Sequence, residues 1–144
     1  MVNNDTIYLL KECDSGSKMA VSTIDEVMEK ISDSNMKDLL CKSREHHEEL
    51  GNRIHSQLMD HHSEEKDPNV MAKSMSWMKT NMKLGMDNSD STIADLVTDG
   101  CNMGIKSLHK YMNQYKAADE ISKGLCKDLI SIEEDLRKDL RKYL

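Results

Sequence analysis

The sequence predicts an all-α protein, and within that class a four-helix bundle made from a duplicated helical hairpin. The composition gives the first reason: Met is frequent, Phe is absent and there is one Pro, which favours helices and leaves strands short of aromatic residues. The second reason is that apolar residues recur at helical spacing along four long stretches. The third is an internal repeat. A chain of 144 residues fits a single domain, 1–144.

The first hairpin is expected to cover residues 5–65. Its first helix should span about 5–32 and its second about 35–65, because capping side chains fill the turn between them. The second helix should end at Asp67-Pro68, since Pro fits only the first turn of a helix. The expected core positions are Ile7, Leu10, Val21, Ile24, Met28, Ile31, Met36, Leu40, Leu50, Ile54 and Leu58.

Residues 66–90 are expected to form a long crossover between the hairpins. The segment far exceeds the roughly two-to-eight-residue link of an up-down-up-down bundle, and it is long enough to connect opposite ends of the molecule. A short extra helix is expected at about 68–85. Its apolar stripe favours packing over copper ligation and predicts a homodimer. The stripe consists of Met71, Met75, Met78 and Met82, with Trp77 beside it.

The second hairpin is expected over residues 90–144, with helices at about 90–115 and 117–144. We expect the first and third long helices of the bundle to be parallel. The predicted core positions of this hairpin are Ile93, Val97, Met103, Gly104, Leu108, Tyr111, Ile121, Leu125, Leu129, Ile132, Leu136, Leu140 and Tyr143.

The internal repeat relates the two hairpins. A Gly-x-x-Met-small-aliphatic pattern occurs at 16–21 and again at 100–105. A Leu-Cys-Lys triplet followed by Glu-Glu occurs at 40–49 and again at 125–134. The two offsets, 84 and 85 residues, are nearly equal, so the first and second long helices correspond to the third and fourth.

Charge and composition exclude several classes of protein. A net charge of −6 argues against a nucleic-acid partner, which requires a basic face. The amino terminus is neither a signal peptide nor a membrane span, so we expect a cytoplasmic protein with reduced thiols and no membrane partner. Cys41 and Cys126 occupy equivalent repeat positions and should be small buried side chains. No nucleophile or phosphate-binding motif identifies a small-molecule substrate.

Polar residues interrupt the apolar stripes at one level of the predicted bundle. Buried polar groups cost free energy unless they are satisfied, so a shared site is expected at this level. Bundles of this kind build di-metal sites from Glu and Glu-x-x-His residues on facing helices. The interrupting residues are Asp14, Ser17, Ser43, His46 or His47, Cys101, Gly104, and Asp128 or Ser131 near Glu134.

Two segments resemble ferritin-like proteins, namely Arg-Glu-His-His-Glu-Glu-Leu at 44–50 and Ser-Trp-Met-Lys at 76–79. The nearest resemblance is to an uncharacterised bacterial branch of that superfamily. That branch has a Leu-x-x-Cys-x-x-Gly segment, then Trp-Met in the crossover, then an acidic loop. The resemblance covers about residues 7–140 and implies a ferritin-like bundle. The matching residues are Leu10, Cys13, Gly16, Trp77, Met78, Asp87 and Asp90.

The resemblance implies that the metal site is degenerate. His46 matches the metal-binding His of the family, but the Glu expected three residues earlier is Ser43. The other Glu positions fall near Ser17, near Cys101 to Gly104, and near Ser131 with Glu134. We therefore expect no di-iron centre and no cofactor. If a transition metal (Fe, Zn or Mn) binds, its predicted ligands are His46, His47, Asp14 and Glu134.

Two classes of function remain open at this stage. The first is a non-enzymatic ferritin-like structural or interaction protein with a degenerate di-metal site. The second is a metal-binding or oxidative-stress protein with a reduced, single-metal site around His46 or His47. The sequence does not identify a pathway or a partner other than a second copy of the chain. The second predicted helix is rich in His, and this pattern also fits a solvated helix face. Its His residues are His46, His47, His55, His61 and His62.

Overall fold

The computed structural model describes residues 4–61 and 89–144. These residues form four long α-helices and one short 3₁₀ turn, and no strand occurs among them, so the all-α prediction is confirmed for this part of the chain. Most of the predicted crossover and its short helix lie outside the described residues. The helices are α1 (Asn4–Met28), α2 (Ser34–Asp60), α3 (Asp90–Gln114) and α4 (Glu120–Leu140), and the 3₁₀ turn is Arg141–Tyr143.

Side-chain caps explain where three of the helices begin. The Asp33 carboxylate accepts a hydrogen bond from the Met36 backbone at the start of α2. Ser89 and Asp119 cap α3 and α4 in the same way. Such caps satisfy backbone N–H groups that have no partner within the helix. No helix among the described residues is long and apolar enough to cross a membrane.

Hydrogen bonds between the turns fix the directions of the helices. The backbone N–H groups of Ser32 and Asp33 donate to the Asp90 carboxylate at 2.8 and 2.9 Å, which places the start of α3 beside the α1–α2 turn. At the other end of the bundle, the Asp119 N–H donates to the Thr6 hydroxyl at 2.9 Å. The Ala117 N–H likewise donates to Asp5. Thus α1 and α4 run in one direction, and α2 and α3 run in the other.

The expectation that the first and third helices are parallel is therefore wrong. The α2 helix ends and α3 begins at opposite ends of the bundle, so α3 repeats the direction of α2 and opposes α1. Each helix packs against both helices that run opposite to it, and α1 also contacts the parallel α4.

The core consists of two apolar clusters, one toward each end of the bundle, and all four helices contribute to both. One cluster, near the α1–α2 turn, includes Ile24, Met36, Ile93 and Leu140. The other includes Leu9, Leu10, Ile54, Leu108 and Leu129.

Some predicted core positions are instead at the surface. Met103 and Ile121 are each 59% exposed. Cys126 is buried as expected, whereas Cys41 is exposed, so the prediction is wrong for Cys41. The reason is that Leu40, its neighbour, already occupies the core-facing position of that turn of α2.

Candidate functional site

A layer of buried polar side chains lies between the two apolar clusters. It occupies core-facing positions of the helices, as on α2, where Ser43 and His47 are spaced between Leu40 and Leu50 at intervals of three and four residues. All four helices contribute to it. We call this set the polar layer, and it comprises Asp14, Ser17, Ser43, His47, Cys101 and Glu133.

The centre of the polar layer is a hydrogen-bonded pair formed by His47 of α2 and Glu133 of α4. The His47 Nε2 atom lies 2.8 Å from Glu133 Oε1, and the Nδ1 atom lies 2.7 Å from the backbone oxygen of Ser43. Because a carbonyl oxygen only accepts, Nδ1 carries a hydrogen. The Nε2 atom then either donates to an ionised carboxylate or accepts from a protonated one. The pair thus shares one proton.

The surroundings of His47 favour its charged form. Burial opposes the imidazolium, but the hydrogen bond to Glu133, the charge of that carboxylate and the bond to the Ser43 carbonyl outweigh it. The pKa of His47 is therefore raised above its ordinary value of 6.5. Both ring nitrogens of His47 are therefore engaged in hydrogen bonds, and the raised pKa favours the imidazolium beside Glu133.

A second buried carboxylate, Asp14 of α1, is compensated by its own helix. Its Oδ2 atom accepts a hydrogen bond of 3.0 Å from the Lys18 ammonium, one turn further along. Its Oδ1 atom lies 3.7 Å from Nδ1 of His55 on the adjacent α2. The Ser17 hydroxyl donates to the Asp14 backbone oxygen at 3.0 Å. The negative charge of Asp14 is therefore balanced within the bundle.

The Cys101 thiol of α3 completes the polar layer beside Glu133. Burial raises the pKa of Cys101 strongly, and the charge of Glu133 and a hydrogen bond with it raise the pKa further. Cys101 is therefore a neutral thiol rather than a thiolate, so it is a poor nucleophile and a poor metal ligand.

The structure separates the four predicted metal ligands. His47 and Asp14 lie in the polar layer, whereas His46 and Glu134 are exposed at the surface. No three His, Cys, Asp or Glu side chains within residues 4–61 and 89–144 are grouped as metal ligands would be. A metal site at these four residues therefore stays a prediction that the geometry does not support.

The core carboxylate of α4 is Glu133, a residue of the internal repeat that was not among those predicted for the site. Glu133 is 8% exposed, while Glu134, Asp128 and Ser131 are all exposed. Glu133 lies four residues after the buried Leu129 and three before the buried Leu136, so its spacing permits a core-facing position. Ile132 fits the same spacing, so this signal alone does not identify Glu133.

A cavity of about 350 Å³ adjoins the polar layer between α1 and α3. We call it the α1–α3 cavity. Its floor is formed by α4, with Glu133 between Leu129 and Leu136. The walls contain the Gly, Met and small residues of both copies of the Gly-x-x-Met-small pattern, so the repeat marks the two sides of one cavity. These wall residues are Gly16, Met19 and Ala20 on α1, and Gly100, Met103 and Gly104 on α3.

The charged residues that line the α1–α3 cavity are both acidic. They are Glu133 on the floor and Glu12 on α1, and no Lys, Arg or His occurs among the described lining residues. Partial burial, followed by the charge of Glu12 and a hydrogen bond with it, raises the pKa of Tyr111. The cavity is thus apolar over most of its surface and negative at two points.

No protein-family model, curated protein or solved structure matches this chain. The resemblance to ferritin-like proteins therefore stays a prediction. Function is inferred from the geometry of the polar layer and of the α1–α3 cavity.

Proposed function

We propose that this chain is a non-enzymatic interaction protein of ferritin-like type, in which hydrogen-bonded side chains occupy the level of the bundle where a ferritin-like protein would hold metals. The observation that carries the proposal is the state of the His47 ring. Its two nitrogens lie 2.7 and 2.8 Å from Ser43 and Glu133 oxygens. For Nε2 to bind a metal, His47 would have to lose its proton and its bond to Glu133.

The charges of the polar layer support the same proposal. Its negative groups, Asp14 and Glu133, each face a cationic partner, Lys18 and His47 respectively. Two iron ions would bring at least about four positive charges, which carboxylates would have to offset. Ser17, Ser43 and the neutral thiol of Cys101 supply no negative charge.

Metal analysis of protein purified without a His tag tests this proposal. Cells are grown with added Fe, Zn and Mn, and the metal content per chain is measured by plasma mass spectrometry. We expect far less than one equivalent. We also expect no change in the unfolding temperature when each metal is added, because a ligand of the native state would raise it. Stoichiometric metal that His47→Gln removes and the matched surface variant His46→Gln retains would overturn the proposal.

A single-metal protein is the second candidate, and Asp14 is the residue that favours it. Its Oδ1 atom accepts no hydrogen bond from the described residues and lies 3.7 Å from His55 Nδ1. A carboxylate and an imidazole on adjacent helices are a common pair of ligands. The Lys18 ammonium, 3.0 Å from Oδ2, opposes a cation at this place. In this case Asp14→Asn would remove bound metal and His47→Gln would not.

A further inference from the structure

The α1–α3 cavity is an elongated slot. Along α1 its lining extends from Glu12 to Ile24, and along the antiparallel α3 it extends from Tyr111 to Val97. At about 1.5 Å per helical residue, these stretches are roughly 20 Å long. The volume of the cavity, about 350 Å³, lies within the range of natural ligand pockets. Distributed over this length, the space suits an unbranched molecule better than a compact ring system.

The lining of the slot is mainly apolar and reaches the core of the bundle. Ile24, Val97 and Leu129 line the cavity, and all three are almost fully buried in the two apolar clusters. Met103, which matches Met19 in the repeat, also lines the cavity although it is 59% exposed. Met side chains are flexible and adapt to the shape of what they contact. The cavity therefore offers apolar contact surface at depth and an adaptable side chain where it meets solvent.

The carboxylates of the lining already have partners. Glu133 lies 2.8 Å from the His47 ring and is also hydrogen-bonded to the Cys101 thiol. Glu12 is hydrogen-bonded to Tyr111. No Lys, Arg or His occurs among the described lining residues. A charged ligand would therefore lose its hydration without gaining an open counter-charge, which costs free energy, whereas an uncharged apolar ligand avoids this cost.

We propose that the α1–α3 cavity binds one uncharged, unbranched aliphatic molecule of medium chain length, lying lengthwise between α1 and α3. The length of the slot limits the length of the chain, and the engaged carboxylates select against a charged head group. Affinity comes from the apolar surface that the chain and the lining remove from water. This inference goes beyond the interaction role proposed above and does not depend on it.

Calorimetric titration of the full chain tests the shape and the charge of the ligand. Straight-chain decanol is the reference probe. Cyclodecanol has the same number of carbon atoms in a ring, and decylammonium and decanoate carry charges of opposite sign. We expect decanol to bind saturably with one molecule per chain, and each of the other probes to bind at least about tenfold more weakly. Equal affinity for the two alcohols, binding of either ion as tight as that of decanol, or no saturable binding of decanol would overturn the proposal.

The dependence of affinity on chain length measures how far the ligand is buried. The probes are straight-chain hexanol, octanol and decanol, titrated under the same conditions. We expect the affinity to rise about fourfold for each added methylene group, as for a chain that is transferred completely from water. An affinity that does not rise along the series would show that the chain stays outside the cavity, and it would overturn the proposal.

Two glycines provide a matched pair of variants that locate the bound probe. Gly100 and Gly124 both lie within helices, and a Cβ atom on either would meet nothing within 4 Å, but only Gly100 lines the cavity. We expect Gly100→Leu to abolish decanol binding and Gly124→Leu to leave it unchanged, with both variants folded by circular dichroism. The smaller change Gly100→Ala should weaken binding about threefold, and it replaces Gly100→Leu if that variant does not fold. Equal effects at the two glycines would place the ligand elsewhere and overturn the proposal.

Measurements on the same samples identify other occupants of the cavity. A native dimer that Gly100→Leu dissociates in sedimentation would place a second copy of the chain there and overturn the ligand proposal. Hydrogen-exchange protection within residues 62–88 that Gly100→Leu removes would assign the cavity to that segment, with the same consequence. Metal-free protein that does not bind decanol would overturn the ligand proposal alone. Stoichiometric metal in a sample that still binds decanol would overturn the metal-free polar layer, while the cavity assignment would stand.

Discussion

His47 and Glu133 share one proton inside the bundle, so stability at the residue scale depends on pH. The folded-state pKa of His47 is raised above its ordinary 6.5, which is taken as its value in the unfolded chain. A group with a raised folded pKa contributes its full stabilisation below the unfolded pKa and loses it as the pH rises through the folded pKa. The His47 contribution is therefore greatest in mildly acidic solution and declines above neutrality.

Urea unfolding at a series of pH values measures this dependence. As the pH rises above 6.5, we expect the free energy of unfolding of the native sequence to fall more steeply than that of Glu133→Gln. The amide keeps the shape of the side chain but lacks the charge that raises the His47 pKa. Other titrating groups are common to both proteins and cancel in the difference. Parallel pH profiles would contradict the expectation.

At this scale the sequence predicted half of the central pair. His47 and Ser43 interrupt an otherwise apolar stripe on α2, and no competing apolar residue obscures them. On α4, Ile132 and Glu133 both fit helical spacing between Leu129 and Leu136, so periodicity alone cannot decide which one faces inward. The structure places Glu133 in the polar layer and leaves Ile132 half-buried against an apolar cluster.

At the scale of elements, α1 and α2 pack tightly against each other at Gly51. A Cβ on Gly51 of α2 would lie 2.8 Å from the Ser17 Oγ atom and 3.3 Å from its Cβ. Gly51 and Gly124 both lie within helices, so replacing either one by Ala increases the helix propensity at that position. Only at Gly51 does the added methyl group meet another helix, where overpacking opposes the gain.

We therefore expect Gly51→Ala to lower the free energy of unfolding by about 1 kcal/mol. Gly124→Ala, which adds a methyl group in open space, should raise it by about 0.5–1 kcal/mol. Chemical denaturation of both variants gives the two signs. Adding Ser17→Ala to Gly51→Ala should restore part of the loss, because it removes the nearer of the two atoms. A Gly51→Ala variant more stable than the native protein would contradict this expectation. It would show that α1 and α2 can move apart at this point without loss of stability.

The turns contribute to stability through Asp90, whose carboxylate accepts two backbone hydrogen bonds from the α1–α2 turn. We expect Asp90→Ala to lower the free energy of unfolding by about 1–2 kcal/mol, as for the loss of a helix cap. Asp95→Ala, an exposed change on the same helix, should stay within about 0.5 kcal/mol of the native value. Urea unfolding midpoints compare the two, and equal losses would refute this role of Asp90.

The sequence predicted where helices begin better than how they are arranged. The starts of α2, α3 and α4 follow capping residues that can be recognised locally. Helix direction depends on Asp90 and Thr6, whose partners lie far away in the chain. The same apolar pattern fits parallel and antiparallel packing, so it could not show that α1 and α3 are antiparallel.

At the scale of the whole molecule, we expect the protein to form a homodimer. The expectation rests on the Met stripe of residues 71–82 with Trp77, which lies outside the described residues. Sedimentation velocity at micromolar concentration should give the mass of two chains. The paired change Met75→Glu and Met78→Glu should produce monomers, whereas Met59→Glu, at a position 40% exposed on α2, should not. A monomeric native chain would contradict the prediction.

The helical composition and the repeat were sufficient to predict the four-helix architecture, but not the α1–α3 cavity. The cavity exists because Gly16, Ala20, Gly100 and Gly104 leave space between two helices. The repeat identified these residues as equivalent, yet sequence periodicity does not state that the two copies face each other. That relation appears only once the directions of α1 and α3 are known.

The composition of the two apolar clusters has a consequence for how the chain folds. Because each cluster takes residues from all four helices, neither hairpin completes a core by itself. Contacts such as Asp119 with Thr6 join positions 113 residues apart. The chain must therefore lose the entropy of closing a long loop before either cluster is buried. Its rate of folding should accordingly fall below that of helical bundles built from neighbouring segments, whose contacts are mostly local.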